Sequence, residues 1–158
     1  MILIGMFDSP FVRRVAVSMD VLGMPFEHRD WSTGRDADRI RAYNPLGRVP
    51  TLVLDDEAVL FESSAVLDHL DQTVGAERAL LPAAGAERRQ ALQLIALATG
   101  VADKAVTMVY ERVFRPEDKR HGPWLARCQT QVEHALAALE THCTAREPRA
   151  MTLVLGAE

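Results

Sequence analysis

Three short stretches of this chain place hydroxyl, carboxylate and exposed backbone groups where they would suit a small anionic ligand. The first is Asp8-Ser9-Pro10-Phe11, which joins an apolar run from Met1 to Phe7 to a set of residues (Phe11, Val12, Val15, Ala16, Met19, Leu22) ending at Gly23. The run predicts a strand, and the recurrence at about 3.6 residues predicts a helix. Ser9 then takes the N-cap and Pro10 the first turn, places both residue types favour. Free N–H groups and the helix dipole at that end attract negative charge. A hydroxyl there can donate to a bound thiolate and make the parent thiol more acidic. On these residues alone, a plain capping role accounts for Ser9 as well.

The second stretch is Val49-Pro50. Thr51-Leu52-Val53-Leu54, the acidic turn Asp55-Asp56-Glu57 and Ala58-Val59-Leu60-Phe61 predict a hairpin, with Pro50 at the entry of its first strand. Proline is tolerated there and is the residue for which a cis peptide is cheap, so Val49-Pro50 is a candidate cis bond; an ordinary trans proline is the alternative. A sharp turn at this point leaves the Val49 N–H and C=O facing outwards, able to pair with an extended peptide by strand addition. The third stretch is Glu62-Ser63-Ser64, ahead of Ala65, Val66, Leu67 and Leu70 at helical spacing. Ser63 reads as the cap of a helix running to about Thr73. Its hydroxyl and N–H suit a ligand carboxylate, and Glu62 suits an ammonium group, although capping alone also explains Ser63.

The elements that must position these groups alternate. Phe26 to Arg29 predicts a short strand, Trp31 to Arg35 a polar loop, and Asp36 to Tyr43 a short helix stopped by Asn44-Pro45. Trp31 and Arg35 either overhang the ligand groove or cover the core. Arg13 and Arg14 sit on a helix whose Phe11, Val12 and Val15 face inwards, so at least one is expected to be solvated, with a structural role favoured over ligand contact.

Taken in order, these elements closely resemble the N-terminal thioredoxin-like domain of the glutathione S-transferases, and the following helical half fits the same family to about residue 145. The resemblance rests on Ser9-Pro10-Phe11-Val12-Arg13-Arg14-Val15, on Asn44-Pro45-Leu46-Gly47-Arg48-Val49-Pro50-Thr51-Leu52 and on Glu62-Ser63. It implies an α/β thioredoxin-like domain over 1–74 followed by an all-α helical-bundle domain over 86–158, here incomplete, with a linker at 75–85. It implies Ser9 as the catalytic group stabilising the glutathione thiolate. Phe11, Arg48, Val49, Pro50, Glu62 and Ser63 become the glutathione-binding residues: Val49 pairs with the cysteinyl unit, Glu62 and Ser63 hold the γ-glutamyl end, and Arg48 lies near a glutathione carboxylate. The implied activity is conjugation of glutathione, as co-substrate with no further cofactor, to a hydrophobic electrophile by a homodimer. A non-catalytic glutathione-binding or protein-interaction member of the fold is the alternative. Thiol exchange is disfavoured, because it needs a thiol near position 9 and a hydroxyl cannot form a mixed disulfide.

Composition narrows the class. With 158 residues and a formal net charge of −4, the chain can build one or two small cores, and it lacks the basic stripe that nucleic acid would require. The N-terminus has no basic region ahead of a cleavable apolar core, and no run is expected to approach the length of a membrane span, so a cytoplasmic protein is expected. Cys128 and Cys143 are fifteen residues apart and match neither a disulfide scaffold nor a CxxC pair, so both are expected to pack between helices. His134 with Glu133 and His142 is the nearest approach to a metal-binding group. His134 and His142 are about two helical turns apart, too far for one ion.

Val74 to Gly85, with Pro82 and two glycines, marks a composition change to an Ala- and Leu-rich, strand-free half. A long helix is predicted from about Ala86 to Phe114, with Leu92, Ile95, Ala96, Thr99, Ala102, Val106 and Val109 on its recurring face, ended by Pro116. A second opens at Gly122-Pro123-Trp124 and runs to about Cys143. Met108, Tyr110 and Val113 are core or interface positions before they are pocket positions. The segment Ala150-Met151-Thr152-Leu153-Val154-Leu155-Gly156 departs from the family pattern, with Leu where the capping-box Asp of a further helix would stand. The last three helices of the helical domain are then expected to be missing. That would leave Leu94, Leu97 and Leu136 partly uncovered, to be covered by dimerisation or left in a marginally stable form.

Overall fold

The computed structural model describes residues 1–144; the departing segment at 150–156 lies outside them. The chain divides into two units, Met1–Ala83 and a second from Ala84 onward. The first contains β1 (Ile2–Ile4), α1 (Pro10–Val21), β2 (Glu27–Arg29), α2 (Ala37–Arg41), β3 (Thr51–Val53), β4 (Val59–Phe61) and α3 (Ser63–Val74). The sheet order is β2-β1-β3-β4. β2 runs parallel to β1 across the α1 crossover, whereas β3 and β4 form the expected hairpin, antiparallel to each other, with β3 antiparallel to β1. A βαβ unit followed by a hairpin and a helix is the thioredoxin-like arrangement.

The period-two alternation of the strands divides the core between the two sheet faces. Leu3 pairs with Leu52, and both point to the face covered by α1 and α3, among Val12, Val15, Ala16, Met19, Leu22, Val66 and Leu70. Ile4 and Val53 point the other way, onto Ile40 of α2, with Trp31 and Tyr43 packed around them. Trp31 therefore covers the core. Its ring lies 6.0 Å from that of Tyr43, with the Arg29 and Arg39 guanidinium groups 5.5 and 5.8 Å from its centroid. Arg35 is engaged locally, with Asp36 and the Asp30 carbonyl. The α2 helix is shorter than the 36–43 expected, because Ala42, Tyr43 and Asn44 fold back onto Asp38 and Ile40 carbonyls in its C-terminal turn.

After α3, residues 75–83 remain part of the first unit. The Asp71 carboxylate accepts the backbone N–H groups of Leu80 and Leu81 at 2.8 and 3.1 Å. Arg78 donates to the Leu22 carbonyl, and Leu80 packs against the first core cluster.

The second unit contains α4 (Gly85–Val113), a 3₁₀ turn at Glu117–Lys119 and α5 (Gly122–Thr144), with α4 and α5 packed together. Glu111, although charged, is buried; it accepts the His121 N–H at 3.1 Å and pairs with Arg115 at 2.9 Å, fixing the turn between the helices. Three expectations need correction here. Leu92 and Val109 of the expected inner face of α4 are exposed, as are Tyr110 and Val113, and Leu94 is buried instead; a helix apolar on several sides does not single out one packing face. Leu94 therefore leaves the set expected to be uncovered, while Leu97 is half-buried and Leu136 exposed. Finally, α4 is long and apolar enough, by length and composition, to cross a membrane, which no stretch of this chain was expected to be. Cys128 is buried and Cys143 half-buried, both free.

Candidate functional site

Ser9 takes the N-cap of α1 in extended backbone geometry, and its Oγ accepts the Val12 N–H at 3.4 Å. Accepting that bond leaves the hydroxyl proton available, and it has no acceptor among the described residues. Pro10 has no N–H, and the Phe11 N–H, second in the helix, likewise has no partner among the described residues. Phe11 itself is half-buried. A donor pair thus stands at the positive end of a twelve-residue helix, an arrangement that favours an anion.

The loop ahead of Ser9 is held from three sides. The Ser9 N–H bonds the Met6 carbonyl at 3.2 Å. Arg13 donates through Nε and Nη2 to the Phe7 carbonyl at 3.0 and 2.7 Å. The Phe7 ring stacks on His28 at 3.9 Å, and His28 Nε2 lies 2.8 Å from the Gly5 oxygen. Arg13 is exposed, yet its guanidinium is occupied in shaping this loop.

Gly5, with φ +134°, brings the Val49 turn up to α1. An ideal Cβ placed on it would stand 2.6 Å from Val12 Cγ2 and 2.7 Å from Val49 Cβ, so only glycine allows both elements to close on the end of β1. The Val49-Pro50 peptide is cis, as the strand-entry position suggested. Neither the N–H nor the C=O of Val49 has a partner among the described residues, and Pro50 is buried. Sequence reasoning missed what braces this turn. Asn44, 1% exposed, donates through Nδ2 to the Arg48 carbonyl at 2.9 Å and to Thr51 Oγ1 at 3.2 Å. Its Oδ1 accepts the Leu46 N–H at 3.0 Å, and Thr51 Oγ1 also reaches the Arg48 carbonyl. Adjacency to Pro45 marked Asn44 only as a helix stop.

Ser63 was expected to cap α3, and here the structure differs. Glu62 occupies the cap with φ 70°, ψ 118°, without a side-chain capping bond, and Ser63 is the first helical residue. The left-handed φ at Glu62 turns the chain one residue earlier than residue type suggested. Ser63 is 4% exposed, and its Oγ accepts from Arg14 Nη1 at 3.3 Å. Burial lowers the Arg14 pKa from its ordinary value. Arg48 Nη1 lies 3.7 Å from Glu62 Oε1, both side chains being largely exposed.

Three contacts therefore tie the pieces into one surface of the first unit: Gly5 against Val12 and Val49, Arg48 to Glu62, and Arg14 to Ser63. The unit contains no cysteine. Among the described residues no three His, Cys, Asp or Glu side chains cluster as a metal site, and Glu133 accepts from Gln129 on its own helix.

Residues 3–78 match the family model described as the glutathione S-transferase N-terminal domain. The chain is 34% identical to a glutathione transferase family member from Pseudomonas fluorescens Pf-5 solved with bound glutathione, with a TM-score of 0.81 over 91% of this chain and 72% of that one. It is 28% identical over 138 residues to the uncharacterized GST-like protein YibF of Escherichia coli (strain K12), covering 87% of this chain and 67% of that protein. It is 36% identical over 72 residues to glutathione S-transferase U1 of Arabidopsis thaliana, 45% of this chain and 32% of that protein. The chain thus spans about a third of the plant relative's length.

Proposed function

This chain belongs to the glutathione S-transferase superfamily, and from that premise we propose that it is a glutathione transferase, joining the sulfur of glutathione to an apolar electrophile. In this reading the peptide lies along Val49, whose unpaired N–H and C=O take the main chain of the cysteinyl unit as an added strand. Its γ-glutamyl ammonium meets Glu62 and its α-carboxylate meets Ser63, while Arg48 attracts a carboxylate. The thiol faces the mouth of α1. It loses its proton to solvent, the Ser9 O–H and Phe11 N–H donate to the thiolate, and the sulfur attacks the electrophilic carbon. With a chloroarene acceptor a C–S bond forms, the C–Cl bond breaks, and chloride leaves with the electron pair. The P. fluorescens relative's bound glutathione supports the ligand, and the family resemblance supports a homodimer.

The observation that carries this reading is the Ser9 hydroxyl, which accepts from its own helix and keeps its proton for a partner. The test is retention on immobilised glutathione together with turnover of 1-chloro-2,4-dinitrobenzene. Ser9→Ala is expected to retain binding but to lose on the order of a hundredfold in kcat/KM, as removal of one transition-state donor does. Undiminished turnover by that variant would take Ser9 out of the mechanism, and tight binding without turnover on a panel of acceptors would make the protein a carrier of glutathione.

A further inference from the structure

Ser9 is held loosely by its own helix. Its Oγ lies 3.4 Å from the Val12 nitrogen, beyond the roughly 2.9–3.0 Å usual for such a bond, so the hydroxyl is placed by the backbone that delivers it more than by the cap. That backbone is the crossing Gly5-Met6-Phe7-Asp8 from the end of β1. Two side chains grip it. Arg13 reaches the Phe7 carbonyl from α1 and so moves with the helix that Ser9 caps. His28 reaches the crossing from β2. Its Nε2 donates to the buried Gly5 carbonyl at 2.8 Å, since a carbonyl oxygen can only accept, and its imidazole lies flat on the Phe7 ring, with centroids 3.9 Å apart and planes 5° from parallel. Among the described residues, His28 is the one sheet side chain that hydrogen-bonds this crossing. Phe7 is 42% exposed, so burial alone does not hold its ring, and the stack on His28 does. A half-buried histidine that only covered the sheet edge would need neither contact. Here its polar tip and its flat face engage the same loop, one at Gly5 and the other at Phe7.

We propose that His28 is a positioning residue for Ser9: by anchoring Gly5 and Phe7 to the sheet, it fixes the hydroxyl where it donates to the glutathione sulfur. This rests on the glutathione reading above and assigns the geometry of its thiolate contact to a residue that makes no bond to Ser9. No covalent bond is made or broken in this step.

The test reads the ionisation of the bound thiol, from the ultraviolet absorbance of the thiolate in the complex with glutathione from neutral pH upward, and reads affinity by titration calorimetry. His28→Phe keeps a ring for the stack and removes the donor. It is expected to leave affinity unchanged, because Val49, Glu62 and Ser63 are untouched, and to lower the ionisation constant of the bound thiol on the order of tenfold, the scale of one hydrogen bond. The thiolate deficit should close at alkaline pH, where the thiol ionises unaided. His28→Gln carries an N–H of similar reach and is expected to recover most of the loss. In a Ser9→Ala background, His28→Phe should change nothing further, because the two residues act through one contact.

Unchanged ionisation in His28→Phe, or the same loss with and without Ser9, would overturn the proposal and make His28 a residue that only covers the sheet edge. Absence of glutathione binding by the wild type would instead sink the glutathione reading, and this proposal with it. If His28→Phe does not fold, Phe7→Leu removes the other contact and is expected to lower the ionisation constant about threefold, the scale of one ring pair, again only while Ser9 is present. An effect of Phe7→Leu that persists without Ser9, or no effect at all, overturns the proposal equally.

Discussion

Arg48 and Glu62 meet as an exposed ion pair, Nη1 to Oε1 3.7 Å, so the cation just ahead of the cis proline faces the anion just ahead of α3. Pairs this open to water contribute at most about 1 kcal/mol to folding. In the proposed function their value lies in being exchangeable: the ligand's ammonium group takes over Glu62 while a carboxylate turns to Arg48.

Glu62→Gly separates the two costs at this position. The φ of 70° is unfavourable for glutamate and free for glycine, so the variant is expected to keep or gain stability, by up to about 1 kcal/mol, despite losing the ion pair. Glutathione affinity should fall at the same time, as the ammonium loses its counter-charge. Chemical denaturation and calorimetry on one preparation measure both; a large loss of stability would mean that the backbone at Glu62 is not under strain.

Gly5→Ala tests the closure of α1 and the Val49 turn. The new methyl would meet Val12 and Val49 side chains at under 3 Å, and Gly5 φ is +134°, so the chain must open there. A destabilisation of about 1–3 kcal/mol is expected, with glutathione retention lost in the protein that still folds. Unaltered retention would place the ligand away from Val49.

Asn44→Ala removes the brace of the turn. It leaves the Arg48 carbonyl with Thr51 alone and strips the Leu46 N–H of its acceptor, a buried loss of about 1–3 kcal/mol. Amide exchange should quicken around 46–51, and Thr51→Val, which removes a smaller part of the same network, should cost less. Equal costs would show that the network does not act through Asn44.

Asp36 gives the pH dependence a sign. Its carboxylate accepts the Ser32 N–H at 3.0 Å and lies beside Arg35 and Arg39, which hold its pKa below the ordinary carboxylate value, the Ser32 bond contributing most. A carboxyl depressed in the folded state adds stability above its unfolded pKa and loses it as pH falls through the folded one. Asp36→Asn should therefore melt lower than wild type at neutral pH, with the gap narrowing below about pH 4. A gap that stays constant in thermal melts down to strong acid would assign the effect to something other than charge.

Much of the first unit was legible because its signals are local. Ser-Pro after an apolar run announced the α1 cap, proline at a strand entry offered the cis bond beside an ordinary trans one, and an acidic turn between β-branched runs announced the β3–β4 hairpin. Ser63 was misplaced by one position because glutamate gives no sign of a left-handed backbone. The Arg14–Ser63 and Asn44–Arg48 bonds depend on tertiary placement, which no periodicity encodes. On α4 the apolar residues are too evenly spread for a face to be chosen, so the pattern points to Leu94 as uncovered and Leu92 as inner, the reverse of where they lie.

The Asp71 carboxylate, by holding Leu80 and Leu81, shortens the tether between the two units to the few residues after Leu81. Excising the first unit at Val74 would strand that carboxylate and release Arg78 from the Leu22 carbonyl. A fragment of the first unit keeps these bonds only if it runs to Leu81, and limited digestion should nick the chain beyond Leu81 sooner than within 75–81.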